Sequence, residues 1–454
     1  MKKIVGIIAA LALAGSVFAR PDITPVITSF TGNAKLEWIA NLDDDTYGFA
    51  NDTWTQWKIQ TKSGDWGGES NQSADGMWGE LVLRTCGDIT TEFGKDEVTK
   101  NPYDWKTKLE VSTAKIHFID GDTYFHMDIL KPDFAVGEIG YVRATKIKDD
   151  GTLNYNNWED LKFGKVGGFA AYQGFTLNFG IPIVDLVFAF GDDGAKSFSD
   201  GHYAFKFAAT LKPIDGLSIY AGVAKNTEDN SDLAFAATVG YNYKLNDQFY
   251  IKPAIQFDMY GDAKNFSAGL LFGWGSEGQT GNHNFLTFAE TLNISVANND
   301  TRTADGISVV FTKALNKDVV AATDPDTVLL IEAYDSKLLT DLGFGNFTWG
   351  AAYRAFEKEY AGVKMAELGK GCLAFGFIYN NTFDIVYVTA RASFGMDLDV
   401  EGDNNAFKYG LRVGTTELIA NTDVYADYVA GFSKYSPADD KNKGTLVIGT
   451  QINF

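Results

Sequence analysis

The side chains able to do chemistry are few, and their spacing does not assemble them. Four histidines, His117, His126, His202 and His283, are scattered without a His-Glu-x-x-His or a neighbouring cysteine, and a tetrahedral zinc site needs such close-set nitrogen and sulfur ligands. Trp274-Gly275-Ser276-Glu277-Gly278 has tryptophan where a nucleophile elbow requires its first glycine. Gly164-Lys165-Val166 lacks the remainder of a phosphate-cradling loop. Asp397-Leu398-Asp399-Val400-Glu401-Gly402-Asp403 opens like a calcium loop, yet Lys408 stands where the closing bidentate glutamate belongs. A solvated acidic loop is the favoured reading of that stretch, with a weak divalent site as the alternative. Asp43-Asp44-Asp45 and Asp324-Pro325-Asp326 read as solvated loops too. No catalytic residue, metal site or cofactor is expected, and the chain is not expected to be an enzyme.

Charge and processing signals narrow the classes further. The 454 residues carry 39 Lys and Arg against 59 Asp and Glu, a formal net charge of −20, which repels nucleic acid. Lys2 and Lys3, an apolar run from Ile4 to Leu13, and Val17-Phe18-Ala19 make residues 1–19 a cleavable signal peptide by expectation. Its apolar core is short of the ~20 residues a spanning helix requires. Cys86 and Cys372 form no framework and read as small hydrophobes. Residues 20–454 contain no Ser/Pro-rich linker and no break in composition, so a single domain is expected there.

The elements that would position these residues are strands. From Val166 to Val184 no residue is charged, but Gly167, Gly168, Gly174, Gly180 and Pro182 oppose a helix, and Phe175, Leu177, Phe179 and Ile181 alternate with period two. From His202 to Met259 four strands follow. One face collects Tyr203, Phe205, Phe207, Leu211, Ile219, Val223, Phe235, Val239, Ile255 and Phe257 without a single charge. The other carries Lys206, Lys244, Lys252, Gln256 and Asp258, padded with Ala and Gly. Leu233 to Leu245 holds its phase longer than the ~5–6 residues of a typical soluble strand, and long enough for the ~9–11 that cross a bilayer at a tilt. Tyr203, Tyr241, Tyr243 and Phe249 fall near strand ends, where an aromatic girdle sits.

Connections alternate in length. Pro213-Ile214-Asp215-Gly216, Asn246-Asp247-Gln248 and Asn380-Asn381-Thr382 read as short turns; Asp192 to Gly201, Asn226 to Asp232, Gly395 to Asn405 and Lys434 to Lys443 read as longer, charged loops. Short turns on one side and long loops on the other describe a closed, antiparallel, up-and-down transmembrane β-barrel of about 16–22 strands, best counted as 20. Two places resist. Between Asn298 and Gly345 the parity fails, and Thr312 to Thr323 reads as a loop or as a short helix folded into the lumen. Pro253 removes a ladder N–H, for which a bulge is the expected remedy.

The chain closes on Gly444-Thr445-Leu446-Val447-Ile448-Gly449-Thr450-Gln451-Ile452-Asn453-Phe454. Leu446, Ile448, Ile452 and the terminal Phe454 alternate with polar or small residues, Thr450 alone departing from an apolar face. This resembles the last strand of bacterial outer-membrane β-barrels. The resemblance implies the outer membrane as location and lipid as surroundings, with recognition of Leu446, Ile448, Ile452 and Phe454 by the outer-membrane assembly machinery. The size resembles a porin; a spirochaetal major-outer-sheath type is one option that no motif carries.

In such a barrel Arg84, Lys206, Lys244, Lys252, Asp258, Arg354 and Arg412 would line the pore, with Glu37, Glu80 and Asp185 also inward. The expected function is passive diffusion of small hydrophilic solutes and ions through a water-filled lumen, mildly preferring cations; three copies could assemble. Two alternatives stand beside it: a barrel serving only to anchor loops that bind surface partners, and a soluble secreted β-sandwich or propeller stacking sugars on Trp54, Trp57, Trp66 and Trp78.

Overall fold

The computed structural model describes residues 26–61, 78–93, 104–130, 132–137, 141–142, 146–147, 153–154, 162–163, 173–192, 203–227, 232–274, 305–316, 326–335, 346–360, 363–366, 372–398, 405–433 and 441–454. The regular elements among them are strands. Ten come first: β1 Val26–Asn41, β2 Thr46–Thr61, β3 Trp78–Phe93, β4 Asp104–Ile119, β5 Tyr124–Asp128, β6 Gln173–Ile181, β7 Val184–Asp192, β8 Tyr203–Leu211, β9 Leu217–Asn226 and β10 Ala234–Tyr241, prolonged by Tyr243–Lys244. Ten follow: β11 Phe249–Tyr260, β12 Ala263–Trp274, β13 Asp305–Ala314, β14 Thr327–Asp335, β15 Asn346–Tyr360, β16 Cys372–Phe383, β17 Val386–Asp397, β18 Asn405–Thr415, β19 Thr422–Ser433 and β20 Lys441–Asn453.

Each strand pairs antiparallel with the next, and β20 returns to β1, from Asn33 opposite Asn453 to Asn41 opposite Thr445. The pairings therefore run round in a ring and leave no free edge to attract another chain. The main sheet holds 22 strands. Tyr243–Lys244 continues β10, and Val363–Ala366 only pairs back onto β15, so among the described residues twenty strands make the circuit. An even number brings the start of β1 and the end of β20 to one rim, the C-terminal rim below.

Short connections gather at that rim: 120–123, 182–183, 212–216, 245–248 and 384–385. Longer ones gather at the opposite rim, including 129–172, 193–202 and 398–404. Residues 62–77, 275–304 and 336–345 are long exceptions at the C-terminal rim, and 42–45 and 261–262 are tight turns at the other. The parity problem between Asn298 and Gly345 resolves because β13 and β14 both join the ring. Of the stretch from Thr312 to Thr323, Thr312 to Ala314 belong to β13 and residues 317–323 lie outside the described residues.

Pro253 corrects an expectation. Gly240 pairs with Ala254 and Tyr243 with Ile251, the same register on both sides of the proline, so there is no bulge. The ladder simply lapses opposite Pro253 and Lys252, and the Asn242 N–H donates on its other side, to Gly216 O in the turn before β9, at 2.8 Å. Asn380, Asn381 and Thr382 are likewise not a turn. They belong to β16, and the reversal falls at Asp384 and Ile385, where Asp384 takes a φ of 56°.

Candidate functional site: the lumen wall

Alternation along each strand gives the ring an outer and an inner face. Phe207 and Val239, which a packed sandwich would bury, are 48% and 42% exposed, and Leu36, Phe266, Leu270, Phe375, Leu411, Ile448 and Ile452 share their face with similar exposure. Among the described side chains on this outer face the charged ones are Asp192, Lys225, Lys264, Lys313, Asp335 and Glu357, each close to an end of its strand. Asp335 is covered, accepting the indole N–H groups of Trp274 and Trp349 at 3.1 Å each. A charge at the bilayer midplane costs ~2–4 kcal/mol; a belt free of charge around the middle removes that cost. Phe190 stacks on Tyr203 near one rim, with Tyr241 on Tyr243 and Phe249 on Phe272 near the other, at interface height.

The inner face is polar and internally paired. Arg412 lies on the inner face, donating from Nε and Nη2 to Asp427 at 3.1 and 2.8 Å, while Arg391 Nη2 reaches both oxygens of the same carboxylate at 2.7 Å. The Arg412 guanidinium also covers the Tyr425 ring at 4.2 Å. Tyr425 spans the wall to donate to Glu37, which pairs with Lys35 at 2.7 Å. The crossing requires Gly449 beneath it, where an added Cβ would sit 2.6 Å from the ring. Glu80 faces Lys58 and Gln60, at 3.0 Å from each, and Asp185 accepts from Tyr124 at 3.0 Å and pairs with Lys212. Arg84 sits inward over the Trp54 ring at 4.9 Å, and Lys252 approaches the Tyr250 ring at 5.2 Å. Lys244 is exposed at the C-terminal rim, opposite Tyr250. The strand carrying Arg354 is described, but its side chain lies outside the described residues.

Two expected liners have other work. Asp258 is only 2% exposed, held by Gln256 Nε2 at 3.0 Å and Asn265 Nδ2 at 2.9 Å, with Thr238 donating to Gln256 in turn. Lys206 is buried because its ammonium donates to the carbonyls of Ala135 and Asp133, at 2.7 and 3.3 Å. Residues 132–137, between β5 and β6, fold into the lumen there. Phe134 and Val136 are fully buried against a row of small inward residues, Ala189, Ala204, Ala208, Ala224, Ala234 and Ala236. Gly137, at φ 114°, donates its N–H to Tyr220 Oη at 3.3 Å. This infolded segment escaped the sequence reading. Its one signal was the run of alanines on the inner face of β7 to β10, wide enough for another piece of chain and apolar where a wet wall should be polar.

Other candidates separate. Trp54 and Trp78 lie inward and Trp57 outward, so they share no sugar-stacking surface; Trp66 lies outside the described residues. Trp78 stacks on His117 at 3.7 Å, and His117 neighbours His126 at 5.6 Å. His202 and His283 lie outside the described residues, as do Gly164 to Val166 and Gly275 to Gly278. Among the described residues no group of three or more His, Cys, Asp or Glu could hold a metal ion. In the candidate calcium loop residues 399–404 lie outside the described residues, while Asp43 is not idle, accepting the backbone N–H groups of Lys443 and Gly444 at 2.9 Å each.

No protein-family model matches the chain. It is 34% identical over 380 residues to the major surface protein MspTL of Treponema lecithinolyticum, covering 61% of this chain and 63% of that protein. It is 25% identical over 375 residues to the major outer membrane protein MspA of Treponema maltophilum, covering 60% and 64%. The chain thus spans less than two thirds of the length of these curated relatives. Among solved structures, Acinetobacter baumannii OccAB1 aligns over 96% of this chain and 99% of its own at 10% identity with a TM-score of 0.37. Pseudomonas aeruginosa OprD aligns over 95% and 96% at 9% identity, with a TM-score of 0.35; both scores are too low to carry an inference. The ring of strands and the charge-free belt make the chain a transmembrane β-barrel of the outer membrane, similar in sequence to treponemal major outer membrane and surface proteins.

Proposed function

We propose that this barrel is a water-filled channel through which small hydrophilic solutes and ions diffuse down their gradients. The carrying observation is the contrast between its two faces: an outer belt without charge, and an inner wall where Glu37, Glu80, Asp185, Arg84, Arg391, Arg412 and Asp427 are spread over half the circuit. Such a wall substitutes for part of a solute's hydration, and passage requires no bond to be made or broken. Because wall charges are largely matched in pairs, bias comes from the acidic balance of the whole chain, −20, which favours cations mildly. The segment at 132–137 narrows the lumen on one side. Residues 1–19 act as the export signal and 20–454 as one barrel; the strand Lys441–Asn453 with Phe454 is the part read by the assembly machinery, and three barrels associate through their outer faces.

Purified, refolded protein in planar bilayers under a potassium chloride gradient tests this. Discrete conductance steps with a reversal potential on the potassium side are expected. Absence of steps, or a reversal potential on the chloride side, contradicts the reading.

A further inference from the structure

At the C-terminal rim the inner wall changes character. Where β15, β16 and β17 meet, a recess of 360 Å³ is lined by Asn346, Asn380, Asn381, Thr382, Tyr387 and Thr389. The pairing places these groups together: Asn346 is opposite Asn380, Asn380 opposite Thr389, and Thr382 opposite Tyr387. Thr389 is opposite Arg412, whose contacts are lumenal, so Asn346, Asn380, Thr382, Tyr387 and Thr389 share the inner face, whereas Asn381, opposite Val388, has the outer parity and only borders the recess at the rim. The alternate residues Phe375, Phe383 and Ile385 are exposed on the lipid side.

Every side chain lining the recess is uncharged, and the charges beside it are satisfied elsewhere. Tyr387 Oη donates to both oxygens of Asp423, at 2.8 and 2.9 Å, and Arg412 is taken by Asp427. A charged solute therefore gains no counter-ion here and loses hydration on entry. Hydrogen-bonding capacity remains open. Thr389 Oγ1 donates to Asn380 Oδ1 at 2.6 Å, which leaves the two Nδ2 hydrogens of Asn380 without a partner among the described residues; the Asn346 amide is exposed. An amide offers donors and acceptor side by side, matching vicinal hydroxyls that also both donate and accept. The volume falls at the lower end of small-molecule pockets, ~300–1,000 Å³.

We infer that this recess is a binding subsite for a small, neutral, hydroxyl-rich solute such as a monosaccharide, which pauses there on leaving or entering the lumen. The inference deepens the channel reading and rests on it. Single-channel recordings with glucose added on the C-terminal-rim side test it, with gluconate and a polyethylene glycol of similar mass as comparators. Glucose is expected to cause brief partial blocks, and the two comparators far fewer. Asn346→Ala with Asn380→Ala should weaken the glucose effect by about fivefold per amide removed, the worth of one hydrogen bond. Both side chains face water, and anomalous migration of the unheated double variant on a detergent gel confirms that it folds. Glucose blocks that are absent, equalled by gluconate, or unchanged in the double variant overturn the subsite while leaving the channel standing. If no conductance step occurs at all, the channel reading falls instead. Saturation-transfer NMR of glucose with the refolded protein then decides the subsite: transfer lost in the double variant supports it, and no transfer to wild type overturns it.

Discussion

The ring of Phe454, at the end of the chain, stacks on that of Phe30 in the first strand, with centroids 5.5 Å apart, and Phe30 in turn leans on Trp57 at 6.4 Å. The backbone repeats the embrace: Gly32 N–H donates to Phe454 O at 2.6 Å and Phe454 N–H to Gly32 O at 3.1 Å. The terminal aromatic thus fastens the seam where the ring closes. Replacing it as Phe454→Ala removes a ring pair worth ~0.5–1.5 kcal/mol beyond its burial. The folded fraction on an unheated detergent gel should fall, and Phe454→Trp should restore most of it.

A second fastening lies at the opposite rim of the same seam, in the two amide groups that Asp43 accepts from β20. Hydrogen bonds to an ionised carboxylate are stronger than neutral ones. Asp43→Ala should lower stability by ~1–3 kcal/mol, read as an earlier urea midpoint, whereas Asp215→Ala in the exposed turn between β8 and β9 should leave the midpoint unchanged.

Lys206 carries a distinct expectation, because it holds the infolded segment and not solute. Lys206→Met keeps the length of the side chain and removes the donor to Ala135 and Asp133. With two carbonyls left unpaired, the segment should loosen from its alanine row, and the mean single-channel conductance should rise with more frequent substates. Unchanged conductance and noise would show that the segment does not narrow the path.

Asp427 is the one carboxylate shared by Arg391 and Arg412. Asp427→Asn keeps hydrogen bonding but removes the negative charge between two cations, so the reversal potential in a salt gradient should move toward chloride. Arg412→Gln should move it the opposite way by a comparable amount.

Much of the fold was legible because each lipid-facing strand repeats one simple demand, apolar at every second residue, and Phe235 to Val239 or Leu446 to Ile452 state it without the rest of the chain. The parity that sorts the wall charges onto one face of their strands was legible too. Their partners were not, since Glu37 and Tyr425 meet only through closure of the ring, across a sequence separation of 388. The infolded segment was hidden for a related reason: Phe134 and Val136 are buried by alanines on four strands, and Asp133 and Ala135 are held by backbone oxygens that no sequence pattern displays. Asn380 to Thr382 read as a turn because asparagines favour turns, but Asp384 supplied the left-handed residue and left Asn380 and Thr382 on the inner wall. Pro253 misled as well, since the ladder skips its position and resumes in the same register without a bulge.

The central claim is that hydrocarbon touches the apolar face, and site-specific quenching tests it most directly. In a chain with Cys86→Ala and Cys372→Ala, an environment-sensitive fluorophore is attached in turn through Phe207→Cys, Val239→Cys and Thr210→Cys, and the protein is reconstituted in bilayers containing brominated lipid. The account predicts strong lipid quenching at 207 and 239 with little effect of aqueous iodide, and the reverse at 210. Labels at 207 and 239 that are shielded from both quenchers would place those residues in a dry protein core and contradict the barrel.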